Sequence, residues 1–146
     1  MITYTHKDLF STGADALLDV VNMDGTMGQG IARTIRAKVP HLFDDFKERQ
    51  KMNLLALGEP YPFFALDDHV TVLVCPLYSN RSTVTIERIE ECLTVISAQA
   101  KRWKISSIAV SKLTFAKWFR FEGEVEPVLE RIFGASSDLK LYICDC

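Results

Sequence analysis

The chain has 146 residues, 48% of them hydrophobic and 25% charged, with a formal net charge of −2. That size and balance predict one globular domain spanning 1–146, with room for a sizeable core. The slightly acidic balance argues against broad, sequence-independent binding of nucleic acid, which needs many Lys/Arg contacts to phosphate, and leaves a local basic patch open.

Ile2 to Thr5 alternates as a short strand, with Ile2 and Tyr4 on one face. His6 to Phe10 reads as a turn, and Ser11 to Asp15 as a connector with Gly13 in it. Leu17 to Val21, interrupted by Asp19, is an apolar run of buried-strand type that ends at Asn22. Gly25, Gly28 and Gly30 follow, and then Ile31, Ile35 and Val39 recur at helical spacing until Pro40 stops them. Strand, glycine loop and helix in that order make an anion site. Glycines admit close approach of backbone, and a helix start offers N–H groups and the positive end of a dipole. The order G-x-x-G-x-G is neither a Walker loop nor GxGxxG, and spacing alone fits equally a strand-to-helix turn that merely needs glycines.

His41 to Met52 predicts a helix with Leu42, Phe43 and Phe46 on one face. Leu55 to Phe64, with Gly58, Pro60 and Pro62, reads as a loop leading into a strand. Asp67-Asp68 reads as a turn, which makes Val70 to Cys75 an antiparallel neighbour of that strand. Pro76 to Thr85 is polar and irregular, and Thr85 is a helix cap. Ile86, Ile89, Leu93, Ile96, Ala100 and Trp103 form a clear amphipathic stripe, read as core packing. Ile105 to Val110 is another buried strand, and Ser111 to Gly123 fits no regular period. Glu124 to Phe133 is a short helix with Pro127 in its first turn and Gly134 at its end, and Leu139 to Cys144 is a final strand.

Strands alternating with helices predict an α/β fold, a mixed sheet of about six strands covered on both faces by about four helices. Ligands in such folds sit at the carboxyl ends of the strands, where Asn22 and the loops at Pro76 and Ser111 would converge. No apolar stretch is long enough to span a membrane. The opening MITYTHKDLF has no signal-peptide core, so the expected location is cytoplasmic. Cys75, Cys92, Cys144 and Cys146 lack paired C-x-x-C spacing and read as free thiols, the first two in the core. His6, His41 and His69 are far apart on turns or helix ends and read as surface residues, so no metal site is implied.

The segment Val21-Asn22-x-x-Gly25-x-Met27-Gly28-x-Gly30-Ile31-Ala32 resembles the first ligand loop of macrodomains, the ADP-ribose-binding modules. Within them it is most similar to the branch containing the terminal ADP-ribose protein glycohydrolase and the antitoxin that strips ADP-ribose from DNA. The resemblance implies a three-layer α/β/α macrodomain. It implies that Gly25, Met27, Gly28, Gln29, Gly30 and Ile31 hold phosphate, and that Asn22 contacts the distal ribose. It also implies that Asp8 accepts a bond from the adenine amino group, with Leu9 in the adenine slot, although Lys7 stands where the family has glycine. Tyr78 and Ser79 fall on the loop after the fourth strand, and Thr114, Phe115 and Ala116 on the second ligand loop. The implied partner is ADP-ribose or a related nucleotide, as ligand or substrate and with no further cofactor, carried on DNA or on protein. Membrane partners are not expected, and the oligomeric state is not legible.

The departures bear on catalysis. The second family loop is glycine-rich, whereas Lys112 to Trp118 here has no glycine, so Lys112, Lys117 and Arg120 are candidates to replace N–H donors with charge. Phe115, Trp118, Phe119 and Phe121 are expected to cover the pocket, stack on a base, or pack on the core or a partner chain. The branch's catalytic lysine after the fourth-strand proline is missing from Leu77 to Arg81, and Asp19 stands in place of an earlier asparagine. A covalent lysine route is therefore not supported. Asn22 or Asp19 orienting a water remains as the catalytic expectation, either on an ADP-ribosyl linkage or on ADP-ribose 1″-phosphate. The alternative is a non-catalytic binding or interaction protein with a remodelled pocket.

Overall fold

The computed structural model describes residues 1–65, 70–136 and 138–145. The turn expected at Asp67-Asp68, and the readings for His69 and Cys146, lie outside them. The described residues form β1 (Ile2–Thr5), β2 (Ala16–Asn22), α1 (Gly30–Lys38), α2 (Leu42–Lys51), β3 (Tyr61–Ala65), β4 (Val70–Tyr78), α3 (Ile86–Gln99), β5 (Ser107–Ser111), α4 (Glu126–Phe133) and β6 (Lys140–Cys144). Short 3₁₀ turns occupy Leu9–Ser11 and Lys112–Phe115, and a π-turn occupies Phe121–Val125.

The sheet runs β1-β6-β5-β2-β4-β3, parallel throughout except that β3 is antiparallel to β4. This is the expected mixed six-stranded α/β sheet. Period-2 alternation distributes each strand between two cores. Leu18, Val20, Leu73, Cys75, Ile108 and Val110 meet Ile89, Leu93 and Ile96 of α3 and Leu129 and Phe133 of α4. Leu17, Val21, Val72 and Val74 meet Ala32 and Ile35 of α1 and Leu42 and Phe46 of α2. The result is three layers, α/β/α. Thr85 caps α3 as expected, its hydroxyl accepting the Arg88 N–H at 3.1 Å.

Two boundaries differ from expectation. The fourth strand does not stop at Cys75 but continues through Pro76 to Tyr78. Pro76 is tolerated because its carbonyl accepts the Gly58 N–H at 2.9 Å on the β3 side, beyond the last β3 pairing at Tyr61↔Val74. The missing Pro76 N–H faces that same side, where no ladder bond is required. The helix expected from Glu124 begins at Glu126, because Phe121–Val125 is wound as a π-turn instead.

The ladder between β2 and β5 consists of Ala16↔Ile108 and Leu17↔Ala109 and ends there. Both strands run on unpaired with each other toward their carboxyl ends. That leaves a crevice where the order departs from β2 in both directions, the usual ligand position of an open α/β sheet.

Candidate functional site

Asn22, the last residue of β2, sits where the β2–β4 register slips and Asn22 pairs with Tyr78. Its side-chain oxygen accepts the Asp24 N–H at 2.8 Å, and its amide donates to Asn80 Oδ1 at 3.1 Å. Asp24 Oδ2 in turn accepts the Asn80 N–H at 3.0 Å. This triangle ties the start of the glycine loop to the segment after β4. Asn22 keeps one amide hydrogen free for a ligand.

The loop is held from behind. Gln50 of α2 donates to the carbonyls of Met23 (3.0 Å) and Gly25 (2.8 Å), and Arg36 of α1 donates to that of Thr26 (2.8 Å). Peptide planarity turns the following N–H groups, of Thr26 and Met27 among them, the opposite way. Gly25 serves packing, since a β-carbon there would lie 2.9 Å from Asn22 Cβ. Gly30 serves conformation, with φ +57 and open space beside it. Met27 also has positive φ (54) and is 3% exposed, so its buried side chain fixes a backbone that a non-glycine residue rarely adopts. Gln29 caps α1 without a side-chain bond, and the first turn holds no acidic residue. The opening N–H groups of α1 are thus left for an outside anion.

Two adjoining cavities open here. One, about 290 Å³, is lined by Asn22, Gly25 to Gln29, Ala32, Tyr78 and Lys117. The other, about 180 Å³, is lined by Val20, Gln29 to Ala32, Tyr78, Leu113, Thr114, Lys117 and Trp118. Lys117 Nζ stands 3.4 Å from Gln29 Oε1 and 5.8 and 5.7 Å from the ring centres of Tyr78 and Trp118. Those rings meet at 4.7 Å with a 60° tilt. Burial, and secondarily the charge of Asp19, raise the Tyr78 phenol above its ordinary value. A larger cavity of about 560 Å³, between Gly13, Leu17, Lys38 and Val70, lies at the amino ends of the strands. Lys38 there stacks on Phe10, and the Thr12 hydroxyl is already bonded to the Ala14 N–H, so few polar groups converge on it.

The structure gathers Asn22, the Gly25–Ile31 loop, Tyr78 and Thr114 around these two cavities. Other expected residues stand elsewhere. Asp8 is exposed at the start of the 3₁₀ turn and Leu9 is 4% exposed in the core beneath α1 and α2, neither lining the cavities. The Ser79 hydroxyl accepts the Arg81 N–H, which folds the loop on itself. Phe115 is 1% exposed and packed in the core, and Ala116 faces solvent, so neither lines the cavities. Phe121 is core as well, so the aromatic run does not fill the cleft; Trp118 alone of the four lines it.

Asp19 is the largest departure. It is fully buried within β2, and neither carboxylate oxygen has a partner. Burial pushes its carboxyl well above the usual carboxylate range. Period-2 alternation sets it on the face of Leu17 and Val21, below the loop, where it cannot orient a water in the cleft. Asp24, Gln50 and Asn80 belong to the site without having been singled out for it, whereas Trp118 was among the aromatics expected to cover the pocket. Only the loop position of Asn80 and Asp24 hinted at them, and nothing in α2 marks Gln50. Among the described residues no three of His, Cys, Asp and Glu converge as metal ligands, and no helix is long and apolar enough to cross a membrane.

No family model matches the chain. The macrodomain of Mycobacterium tuberculosis DarG superposes on it with a TM-score of 0.88 at 25% identity, covering 100% of this chain and 98% of that one. The chain has the macrodomain fold. Thermosipho africanus DarTG, solved in complex with ADP-ribose, matches with a TM-score of 0.83 at 23% identity over 99% of this macrodomain and 41% of that chain. A curated DNA ADP-ribosyl glycohydrolase of Mycobacterium tuberculosis is 33% identical over 61 residues, 42% of this macrodomain and 17% of the relative. The shared part is therefore a small fraction of that protein's length.

Proposed function

We propose that this macrodomain binds ADP-ribose in the cleft between β2 and β5 and removes it from an ADP-ribosylated acceptor, with DNA as the acceptor class. The observation that carries the binding is the uncapped start of α1 joined to a glycine loop whose carbonyls are held back by Gln50 and Arg36. That arrangement offers backbone donors to a diphosphate. The acceptor class rests on the DNA ADP-ribosyl glycohydrolase relative and on the DarG macrodomains.

In this reading Asn22 fixes the distal ribose with its remaining amide hydrogen, while Asn80 and Asp24 hold Asn22 in one orientation. Water attacks C1″, the bond from C1″ to the acceptor breaks, and the acceptor leaves with a proton. Asn22 acts by orientation rather than by proton transfer, because an amide does not titrate.

A second reading, binding without turnover, draws on two features. Leu77 to Arg81 supplies no lysine, and among the described residues no carboxylate lines either cavity. Titration of the full chain with ADP-ribose, with AMP as control, followed by incubation with an ADP-ribosylated oligonucleotide, separates the two. Release of ADP-ribose that is lost in Asn22→Ala supports the hydrolase, and release unchanged in Asn22→Ala removes Asn22 from the mechanism. Micromolar binding without release leaves the reader.

A further inference from the structure

The second loop has no glycine and commits several of its backbone donors internally. The N–H groups of Leu113, Ala116, Trp118 and Phe119 are committed within the turn, to Ser111 Oγ and to the carbonyls of Leu113 and Phe115. With those four spent inside the turn, the charged donors on that side are side chains. Three cations lie on the loop, and two are accounted for. Lys112 pairs with Glu122 at 3.5 Å and stands over the Phe121 ring, and Arg120 lines neither cavity. Lys117 lines both, and among the described residues no carboxylate lines either. Lys117 donates to the neutral Gln29 amide at 3.4 Å, a long bond for an ammonium. The smaller cavity is also walled by Thr114, which is 7% exposed and whose Oγ1 has no hydrogen-bond partner. A buried unpaired hydroxyl is costly unless something fills it.

We propose that Lys117, the Thr114 hydroxyl and the uncapped start of α1 form a side-chain-built subsite for a phosphate group, and that the entering anion takes Lys117 from Gln29. This rests on the ADP-ribose reading for its physiological ligand, and its chemistry is that of any diphosphate. Charge replaces backbone donors at this wall, so binding here depends on salt more steeply than on a glycine loop alone. Lys117 and Gln29 line both cavities, so the bond between them lies on the wall the two share, and its release joins them into one cleft.

Calorimetry with pyrophosphate and, separately, ADP-ribose, across a series of NaCl concentrations, tests this on the wild-type chain, Lys117→Gln and Thr114→Val. The expected result is pyrophosphate binding that weakens about tenfold in Lys117→Gln, with a flatter salt dependence. Thr114→Val is expected to bind a few-fold more weakly while melting at a higher temperature, because it removes an unpaired buried hydroxyl. If ADP-ribose binds equally well to wild type and Lys117→Gln with the same salt dependence, the subsite is overturned and the ADP-ribose reading stands. If pyrophosphate binds through Lys117 and ADP-ribose does not bind, the ADP-ribose reading falls and the subsite stands. Binding of neither ligand to wild type overturns both, and unchanged affinity in Thr114→Val removes the hydroxyl from the subsite.

Discussion

Between Asn22 and Gly30 the chain meets the cleft with its backbone; between Ser111 and Phe121 it meets it with side chains. The first loop is irregular and is held by groups outside it: Gln50, Arg36 and Asn80. The second is a 3₁₀ turn that satisfies several of its own N–H groups and is fastened by Phe115 and Phe121 in the core beneath α3 and α4. A loop that spends its own donors internally gains local order and loses the ability to bind an anion through them. Its surface chemistry then passes to whichever side chains project from it, here Lys117, Trp118 and Thr114.

The core anchor of the second loop carries the largest expected effect. Phe115→Ala removes a ring that is 1% exposed. It is expected to lower unfolding free energy by about 3–5 kcal/mol, read by urea denaturation, and a loss below about 1 kcal/mol would mean the second loop is not anchored there. Gly25→Ala brings a β-carbon within 2.9 Å of Asn22 Cβ, so the Asn22–Asn80–Asp24 triangle must shift. ADP-ribose affinity is expected to fall by about 2 kcal/mol, roughly thirtyfold, with a smaller change in melting temperature. Equal affinity would show that the first loop tolerates movement and that its backbone is not the anion site.

The smallest effect concerns Asp19 under the first loop. Burial raises its carboxyl above the ordinary 3.8, so the folded state holds its proton more tightly than the unfolded chain does. Stability is therefore full below the ordinary value and declines as pH rises from there through the raised value. Asp19→Asn is expected to remove that decline, flattening the pH dependence of the melting temperature above the ordinary carboxylate value and raising stability at pH 7. A pH profile identical to wild type would mean that Asp19 has found a partner for its charge. Because the carboxyl is sealed from the cleft, ADP-ribose affinity is expected to change little.

Much of this was legible beforehand for definite reasons. The period-2 and period-3.6 patterns placed the strands and helices because each element buries one face against the sheet. The glycine loop was legible because Gly25 and Gly30 answer to local demands, a close approach and a positive φ. The extension of β4 past Pro76 was not, since it depends on β3 beginning only at Tyr61, opposite Val74, and on Gly58 reaching the Pro76 carbonyl. Asp19 misled because a carboxylate in a ligand-loop strand looks chemical until the pleat assigns it to the buried face.

What the sequence determined by itself is the order of elements, the two-faced sheet and the backbone form of the first loop, all set by neighbours within a few residues. Tertiary structure decided which of the polar residues reach the cleft. Lys117 and Gln29 lie 88 positions apart and Asn22 and Asn80 lie 58 apart, and they meet only because β4 and β5 flank β2. Contacts of that kind are created by strand pairing across the sheet, and no local pattern carries them.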